Sequence, residues 1–215
     1  MTLSIVAVIC VSADVTAEAP STYLRHLGPV ITNGGVSFRV WAPHAESVAL
    51  VGSFNGWNMS ADMLAPDSAA SNLWSIFAAG VGPGDEYKFV IDGTHWKSDP
   101  WSRELGDNNN SVVKAAVTNW TAFTRPDDAE AVIYELHIGS FNGGTFASVA
   151  EMSDYLAWLG VNVVQVMPPA QFGTATSWGY NPIAPYAPAN QYGGYDAFAS
   201  MVDALHARGI AVYVD

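Results

Sequence analysis

The chain of 215 residues carries 20 acidic and 8 basic side chains, which gives a formal net charge of −12. Half of its residues are hydrophobic and 12% are aromatic, a composition that excludes an intrinsically disordered chain. Because its three lysines offer no basic patch to neutralise phosphates, we expect no nucleic-acid partner. The length accommodates one large domain or two ordinary ones of ~100–150 residues each.

Residues 1–27 are predicted to form an N-terminal extension. Their apolar opening, Met1–Ala13, resembles the core of a signal peptide, but the first basic residue is only Arg25. A cytoplasmic location is therefore favoured, with secretion as the alternative. No apolar run reaches the ~18–20 residues that a membrane span needs, so we expect no membrane partner.

Residues 28–124 show the pattern of a β-sandwich. Short runs alternate between apolar and polar residues and are broken by Gly, Asn, Asp and Pro, which is typical of strands joined by turns. The predicted strands are residues 36–41, 47–51, 73–77, 86–91 and 111–115. Five short strands at this spacing indicate a sandwich of about 100 residues.

Residues 125–131 are polar, contain a proline and are predicted to be a linker. Beyond them the pattern predicts strands over 132–138, 161–167 and 210–214. A helix is expected over 145–159, where apolar residues follow helical spacing, and a second one from about Tyr195 to Ala207. A long loop rich in Pro, Tyr and Gly precedes the second helix. The order β-α-β-loop-α-β predicts parallel strands with right-handed crossovers.

Several blocks of residues 132–215 occur in the order typical of one enzyme family. They are Val132–Phe141, Gly144–Phe146, Leu156–Val161, Val166–Pro168, Trp178–Pro182 and Ala204–Ile210. In these blocks the segment resembles the start of the barrel of the α-amylase superfamily, glycoside hydrolase family 13, of the branching-enzyme or trehalohydrolase type. The resemblance implies a truncated (β/α)8 barrel of about three strands and two helices, and a multi-domain β plus α/β chain overall.

The resemblance also implies which parts of the family's active site residues 132–215 contain. Tyr180 resembles the tyrosine that stacks on the reacting sugar, and Asp215 resembles the first aspartate of the family's D-x-x-x-N-H segment. The family's nucleophile, its acid/base and its second aspartate lie on later strands. We therefore expect no catalytic residue in this chain and only a residual barrel subsite, Tyr180 and Asp215. We also expect the open edge of such a sheet to cause self-association.

Residues 36–115 resemble a second family, the family-48 carbohydrate-binding modules. The matching blocks are Phe38–Pro43, Gly52–Trp57, Glu86–Gly93, Trp96–Pro100 and Leu105–Asn110. In the glycogen-binding relatives two tryptophans stack on glucose rings, while a lysine and an asparagine bind hydroxyls. Carried over by position, the resemblance implies that Trp57, Trp96, Lys88 and Asn109 contact carbohydrate. Core packing is the alternative for the two tryptophans.

Two main functions follow from these patterns. The first is binding of α-glucan, as glycogen, starch or maltooligosaccharide, by the N-terminal module. The second is an enzyme of family 13, a branching enzyme or α-amylase-like hydrolase, represented here by its N-terminal part. A weaker alternative is an unrelated hydrolase that uses Ser140, His137 and Asp215. The single Cys10 and the absence of Cys/His clusters predict no metal site, and no motif indicates a cofactor.

Overall fold

The computed structural model describes residues 27–67, 72–173 and 177–215, which form two compact units. The first unit comprises the described residues up to Ala116 together with Ala184–Ala187. The second unit comprises Val117–Ile183 and Pro188–Asp215. The predicted N-terminal extension lies outside the described residues, apart from Leu27.

The first unit consists of two antiparallel sheets. Its strands are β1 (Val30–Thr32), β2 (Gly35–Trp41), β3 (Val48–Gly52), β4 (Asp62–Met63), β5 (Ala65–Pro66), β6 (Leu73–Ala79), β7 (Glu86–Ile91), β8 (His95–Lys97) and β9 (Ser111–Val112). One sheet has the order β1-β2-β6-β5. The other has the order β4-β3-β7-β8, and β9 pairs with β7.

The two sheets share one apolar core. Successive side chains of a strand point to opposite faces, so alternate residues of β2, among them Val36 and Phe38, are fully buried. From the other sheet, Tyr87 and Phe89 of β7 enter the same cluster. The rings of Phe38 and Tyr87 meet edge to face with their centroids 4.8 Å apart. The unit is therefore a β-sandwich, consistent with the immunoglobulin-like architecture that the sequence predicts.

All five strands predicted in this region are present. β7 has the predicted bounds, and β9 is shorter than expected because it ends at Val112. The sequence pattern missed the short strands β1, β4, β5 and β8, each of two or three residues. A strand of two or three residues is too short for its alternation of apolar and polar residues to be told from a turn.

The second unit is built around a parallel sheet. Its elements are β10 (Ile133–Leu136), α1 (Phe146–Glu151), α2 (Ser153–Trp158), β11 (Val163–Val166), β12 (Ala170–Phe172), both ends of β13 (Pro182–Pro188), α3 (Gly194–His206) and β14 (Ala211–Val214). The middle of β13, Ala184–Ala187, belongs to the first unit. Strands β10, β11 and β14 pair in parallel, in that order. The three predicted strands and their direction are thus confirmed.

The helices cover the sheet through one apolar cluster. Phe146, Leu156 and Leu205 of the helices are fully buried in it, together with Val164 of β11. The helix predicted over 145–159 begins as expected, with Thr145 accepting a hydrogen bond from the Ser148 amide. It is divided at Met152, whose φ of −90° and ψ of 4° separate α1 from α2. Apolar spacing continues across such a local break, so the sequence pattern did not show it.

The long loop before α3 contains a two-stranded sheet that the sequence did not predict. Strand β13 pairs with β12 although it contains Pro182, Pro185 and Pro188. Proline lacks an N–H donor, so a strand with three prolines is restricted to the edge of a sheet. Its composition is also that of a loop, which is why the sequence predicted one. The two-stranded sheet satisfies that restriction, because each of its strands has one paired side. Within the described residues, no helix is both long and apolar enough to cross a membrane.

Candidate functional site

The outer face of the second sheet of the sandwich presents a row of three side chains from β7. Tyr87 and Phe89 point into the core, so Glu86, Lys88 and Val90 point outward. Val90 is nevertheless buried, since it forms a small apolar cluster with its neighbours on β3. Trp57 packs against this cluster and covers it. One side of the indole therefore rests on the sheet.

The loop that carries Trp57 is held by hydrogen bonds from Asn55. The Asn55 side chain accepts a hydrogen bond from the Gly52 amide over 3.0 Å, and its Nδ2 donates to the Leu50 carbonyl over 3.0 Å. The same Nδ2 lies 2.7 Å from the Asp62 carboxylate. Trp57 itself has a φ of 61°, in the left-handed region that residues other than glycine rarely adopt. These bonds hold a backbone conformation that orients the indole over the sheet.

The second tryptophan comes from the neighbouring strand. Trp96 on β8 lies opposite Val90 in the strand pairing, so both tryptophans lie beside the same buried valine. Their ring centroids are 6.4 Å apart and the ring planes are tilted by 31°. Trp96 is 44% exposed. The two indoles thus form one aromatic platform on the outer face of the sheet.

The polar edge of this platform is provided by the turn Asp107–Asn110. Asn108 and Asn109 have φ values of 54° and 56°, and asparagine is among the few residues that adopt them readily. Lys88 Nζ donates to the Asn108 carbonyl over 2.9 Å, and Asn110 Nδ2 donates to the Glu86 carboxylate over 2.7 Å. Two side chains of β7 therefore hold the turn against the platform.

Together these residues line an open groove of about 470 Å³. Its lining comprises Trp57, Glu86, Lys88, Trp96, Asp107, Asn108 and Asn110. The structure thus brings together three of the four residues predicted to contact carbohydrate, namely Trp57, Lys88 and Trp96. The fourth, Asn109, is not part of the lining, but its neighbours Asn108 and Asn110 are. Glu86 was missed, although its period-two spacing from Lys88 places both on one face of β7.

A buried carboxyl lies beneath the segment that follows Trp96. Asp99 is 1% exposed and accepts hydrogen bonds from the Tyr87 hydroxyl over 2.7 Å and from the Trp101 amide over 2.8 Å. Its own amide donates to Ser111 Oγ over 2.8 Å. Burial raises the pKa of Asp99 to about 6, against an ordinary value of 3.8, although these hydrogen bonds act in the opposite direction. The chain that leaves β8 is therefore anchored to the sandwich core.

The second unit contains the two residues predicted for a residual barrel subsite. The Tyr180 hydroxyl donates to the Asp215 carboxylate over 2.8 Å, so the structure brings them together. This hydrogen bond raises the pKa of Tyr180 above its ordinary value. Asp215 directly follows β14, and Tyr180 precedes β13. The pair lies at the carboxyl end of a parallel strand, where active sites of (β/α)8 proteins form.

The three residues of the alternative hydrolase do not form a Ser-His-Asp arrangement. His137 Nδ1 lies 3.1 Å from Ser140 Oγ, as that hypothesis requires. The other ring nitrogen of His137 lies 3.0 Å from the Tyr192 hydroxyl, whereas the Asp215 carboxylate accepts from Tyr180. The position that an orienting aspartate takes in such a triad is thus occupied by a tyrosine. Among the described residues, no group of three His, Cys, Asp or Glu is placed to hold a metal ion.

Comparison with known proteins finds relatives of this chain. Residues 26–102 match carbohydrate-binding module 48 (isoamylase N-terminal domain). A 1,4-alpha-glucan branching enzyme of Corynebacterium efficiens is 36% identical over 94% of this chain, and one of Picrophilus torridus is 33% identical over 92%. In sequence, the chain is similar to the branching-enzyme type of glycoside hydrolase family 13. The chain spans about 29% of the length of the Corynebacterium enzyme and 30% of the Picrophilus enzyme.

The fold comparison extends over both units. A crystal structure described as an alpha amylase from Salmonella typhimurium matches with a TM-score of 0.72 and 33% sequence identity. The match covers 88% of this chain and 32% of the Salmonella chain. Both the sandwich and the parallel unit therefore have counterparts in this relative, since neither unit alone accounts for 88% of the residues.

Proposed function

We propose that the groove of the first unit binds α-glucans such as glycogen, starch or maltooligosaccharides. The observation that carries this proposal is the platform of Trp57 and Trp96, two indoles 6.4 Å apart on the outer face of the sheet. A glucose ring presents a flat C–H face, and an indole offers it a large apolar surface with little rotamer entropy to lose. The match to carbohydrate-binding module 48 supports the same ligand class.

The polar groups beside the platform suit a neutral sugar polymer. A sugar hydroxyl both donates and accepts hydrogen bonds, and the groove offers the Lys88 ammonium as donor and the carboxylates of Glu86 and Asp107 as acceptors. Asn109, the fourth residue predicted to contact carbohydrate, lies in the turn Asp107–Asn110, and we propose that it supplies this contact. Because the chain has a net charge of −12, an anionic polysaccharide would be repelled.

Affinity electrophoresis in gels that contain glycogen tests this proposal. We expect Trp57→Ala and Trp96→Ala each to weaken retention by at least ~10-fold, since truncation of an aromatic contact at the centre of a site costs about 2 kcal/mol or more. The matched control is Trp41→Ala, which removes a tryptophan that is 62% exposed on β2 of the other sheet. Equal retention of all three variants and the unmodified chain would refute the assigned site.

A second candidate function concerns the parallel unit. We propose that residues 132–215 form the first three strands of a family-13 (β/α)8 barrel, a fold of ~250 residues, and that Tyr180 and Asp215 belong to its sugar subsite. The similarity to branching enzymes over more than 90% of the chain supports this proposal. Transfer or hydrolysis of α-glucan by a retaining barrel needs two carboxyl groups ~5–5.5 Å apart, which the family places on later strands.

We therefore expect the 215-residue chain alone to bind amylose without altering it. Iodine staining and release of reducing sugar, measured with purified protein, check this expectation. Either a shift in the iodine spectrum or new reducing ends would favour an active enzyme instead.

We also propose that the parallel sheet mediates self-association. Its edge strand β10 presents Ile133, which is 53% exposed, and free backbone groups on an edge pair readily with another chain. Light scattering as a function of concentration tests this, and a 22.9 kDa species at every concentration would contradict it.

A further inference from the structure

Helix α2 carries a tryptophan on the side opposite the core. An α-helix turns by about 100° per residue, so Trp158 lies about 200° around the helix from Leu156. Leu156 is fully buried, whereas Trp158 is 80% exposed. The exposure of Trp158 thus follows from its position on the helix. The packing of α2 on the sheet does not require a tryptophan on this exposed side.

This tryptophan is paired with a second aromatic ring. Tyr155, three residues earlier and on the same side of the helix, is 46% exposed. The two ring centroids are 6.1 Å apart and the ring planes are tilted by 29°. The platform of Trp57 and Trp96 has nearly the same geometry, with 6.4 Å and 31°. A similar spacing and tilt of two aromatic rings therefore occurs in both units.

We propose that Tyr155 and Trp158 form a second contact site for α-glucan, on the parallel unit. This inference rests on the proposed function of the groove, because it assigns to the helix the ligand class that the groove would bind. Exposed aromatic surface of this kind marks a site of interaction rather than of packing. The ring faces would take the apolar face of a glucose unit, as in the groove.

Polar groups for the sugar hydroxyls lie beside the rings. Asp154 precedes Tyr155 and accepts a hydrogen bond from Arg208 Nε, which forms an ion pair across the surface. The side chains of Asp154 and Arg208 remain 77% and 45% exposed, so a carboxylate and guanidinium donors are both accessible next to the rings. The pair offers hydroxyl groups both acceptors and donors.

The charge near the rings favours a neutral ligand over a second copy of the chain. Glu151 and Asp154 are both exposed near the aromatic pair. A symmetric contact between two copies at this surface would bring these carboxylates close to one another. A glucan meets no such repulsion.

The experiment measures retention of the 215-residue chain in glycogen gels for Trp158→Ala, alone and combined with Trp57→Ala and Trp96→Ala. Glycogen offers many chain ends, so loss of one of two contact sites is expected to weaken retention at least ~3-fold. The triple variant is expected to migrate faster than the double variant that lacks only the groove tryptophans. Trp158→Phe, which keeps a ring, should restore most of the retention.

The outcomes separate this inference from the proposed function. Weaker retention of Trp158→Ala with unchanged mass in light scattering supports the second site. Unchanged retention of Trp158→Ala overturns it, even where Trp57→Ala shows that the groove binds. A fall in oligomer mass caused by Trp158→Ala also overturns it, because the helix would then contact another copy. If instead the groove variants bind as well as the unmodified chain, the proposed function of the groove fails by itself.

Discussion

In the sandwich every residue of β3 is buried, whereas β10 of the parallel unit leaves Ile133 and Glu135 exposed. The reason lies in how each sheet is covered. The two sheets of the sandwich face one another across a shared core, so the outer face of β7 is free to carry a ligand platform. Among the described residues, the parallel sheet has three strands, and β10 and β14 each pair on one side only. The sandwich thus forms its candidate site from its own residues, while the parallel unit leaves one side of β10 and of β14 unpaired within the part of the chain that the structure describes.

The largest change in unfolding free energy is expected from a substitution in the sandwich core. Phe38→Ala removes a fully buried ring that contacts Tyr87 and Phe54, and such a change costs about 3–5 kcal/mol of unfolding free energy. Urea unfolding followed by tryptophan fluorescence measures this loss. A loss below ~1 kcal/mol would show that the two sheets do not depend on one another.

A second effect follows from the buried carboxyl of Asp99. Its pKa of about 6 exceeds the ordinary 3.8, so the folded chain holds this proton more tightly than the unfolded chain. The contribution of Asp99 to stability is therefore complete below pH ~4 and is lost as the pH rises through about 6. The shift corresponds to about 3 kcal/mol.

The test is a comparison of the unmodified chain with Asp99→Asn between pH 4 and pH 7. The difference in unfolding free energy between the two proteins should change by up to about 3 kcal/mol over this range, since other carboxyls titrate alike in both. A difference that is independent of pH would mean that Asp99 is not buried in solution.

A smaller effect is expected from the loop that positions Trp57. Asn55→Ala leaves the Gly52 amide and the Leu50 carbonyl without their side-chain partner, which costs about 1–3 kcal/mol. We expect weaker retention on glycogen as well, because the indole loses its fixed orientation. Circular dichroism and affinity electrophoresis measure the two effects. If Asn55→Ala lowers stability but leaves retention on glycogen unchanged, the loop does not determine the orientation of the Trp57 indole.

The smallest effect is expected at the edge of the parallel sheet. Ile133→Ala removes a side chain that is 53% exposed, so the unfolding free energy should change by about 0.5 kcal/mol or less. The measurement is urea unfolding at two protein concentrations. A loss that approaches that of Phe38→Ala, and that depends on concentration, would show that this edge is covered by another copy.

The sequence predicted the parts of the fold that repeat a pattern over several residues. Strand β7 alternates over its full length, and its bounds were predicted as Glu86–Ile91. The break at Met152 and the proline-containing strand β13 were not predicted, because backbone angles and edge pairing decide them.

The candidate site, too, could be predicted only in part from the sequence. The tryptophans and Lys88 were predicted from a family resemblance, and their meeting at one groove depends on strand pairing. The bond from Lys88 to the Asn108 carbonyl joins residues 20 positions apart, and no local pattern encodes it.

The left-handed backbone of Trp57 has a consequence for evolution in the laboratory. A non-glycine residue with a φ of 61° costs roughly 1–2 kcal/mol, which glycine would avoid. Glycine would also uncover the apolar cluster against which the indole of Trp57 packs, so lost packing offsets the strain relieved. A library randomised at position 57 and selected only for thermal resistance should therefore enrich glycine less than the strain alone predicts, whereas selection on immobilised glycogen should keep tryptophan. Tolerance to heat is thus a poor proxy for retention of the ligand at this position.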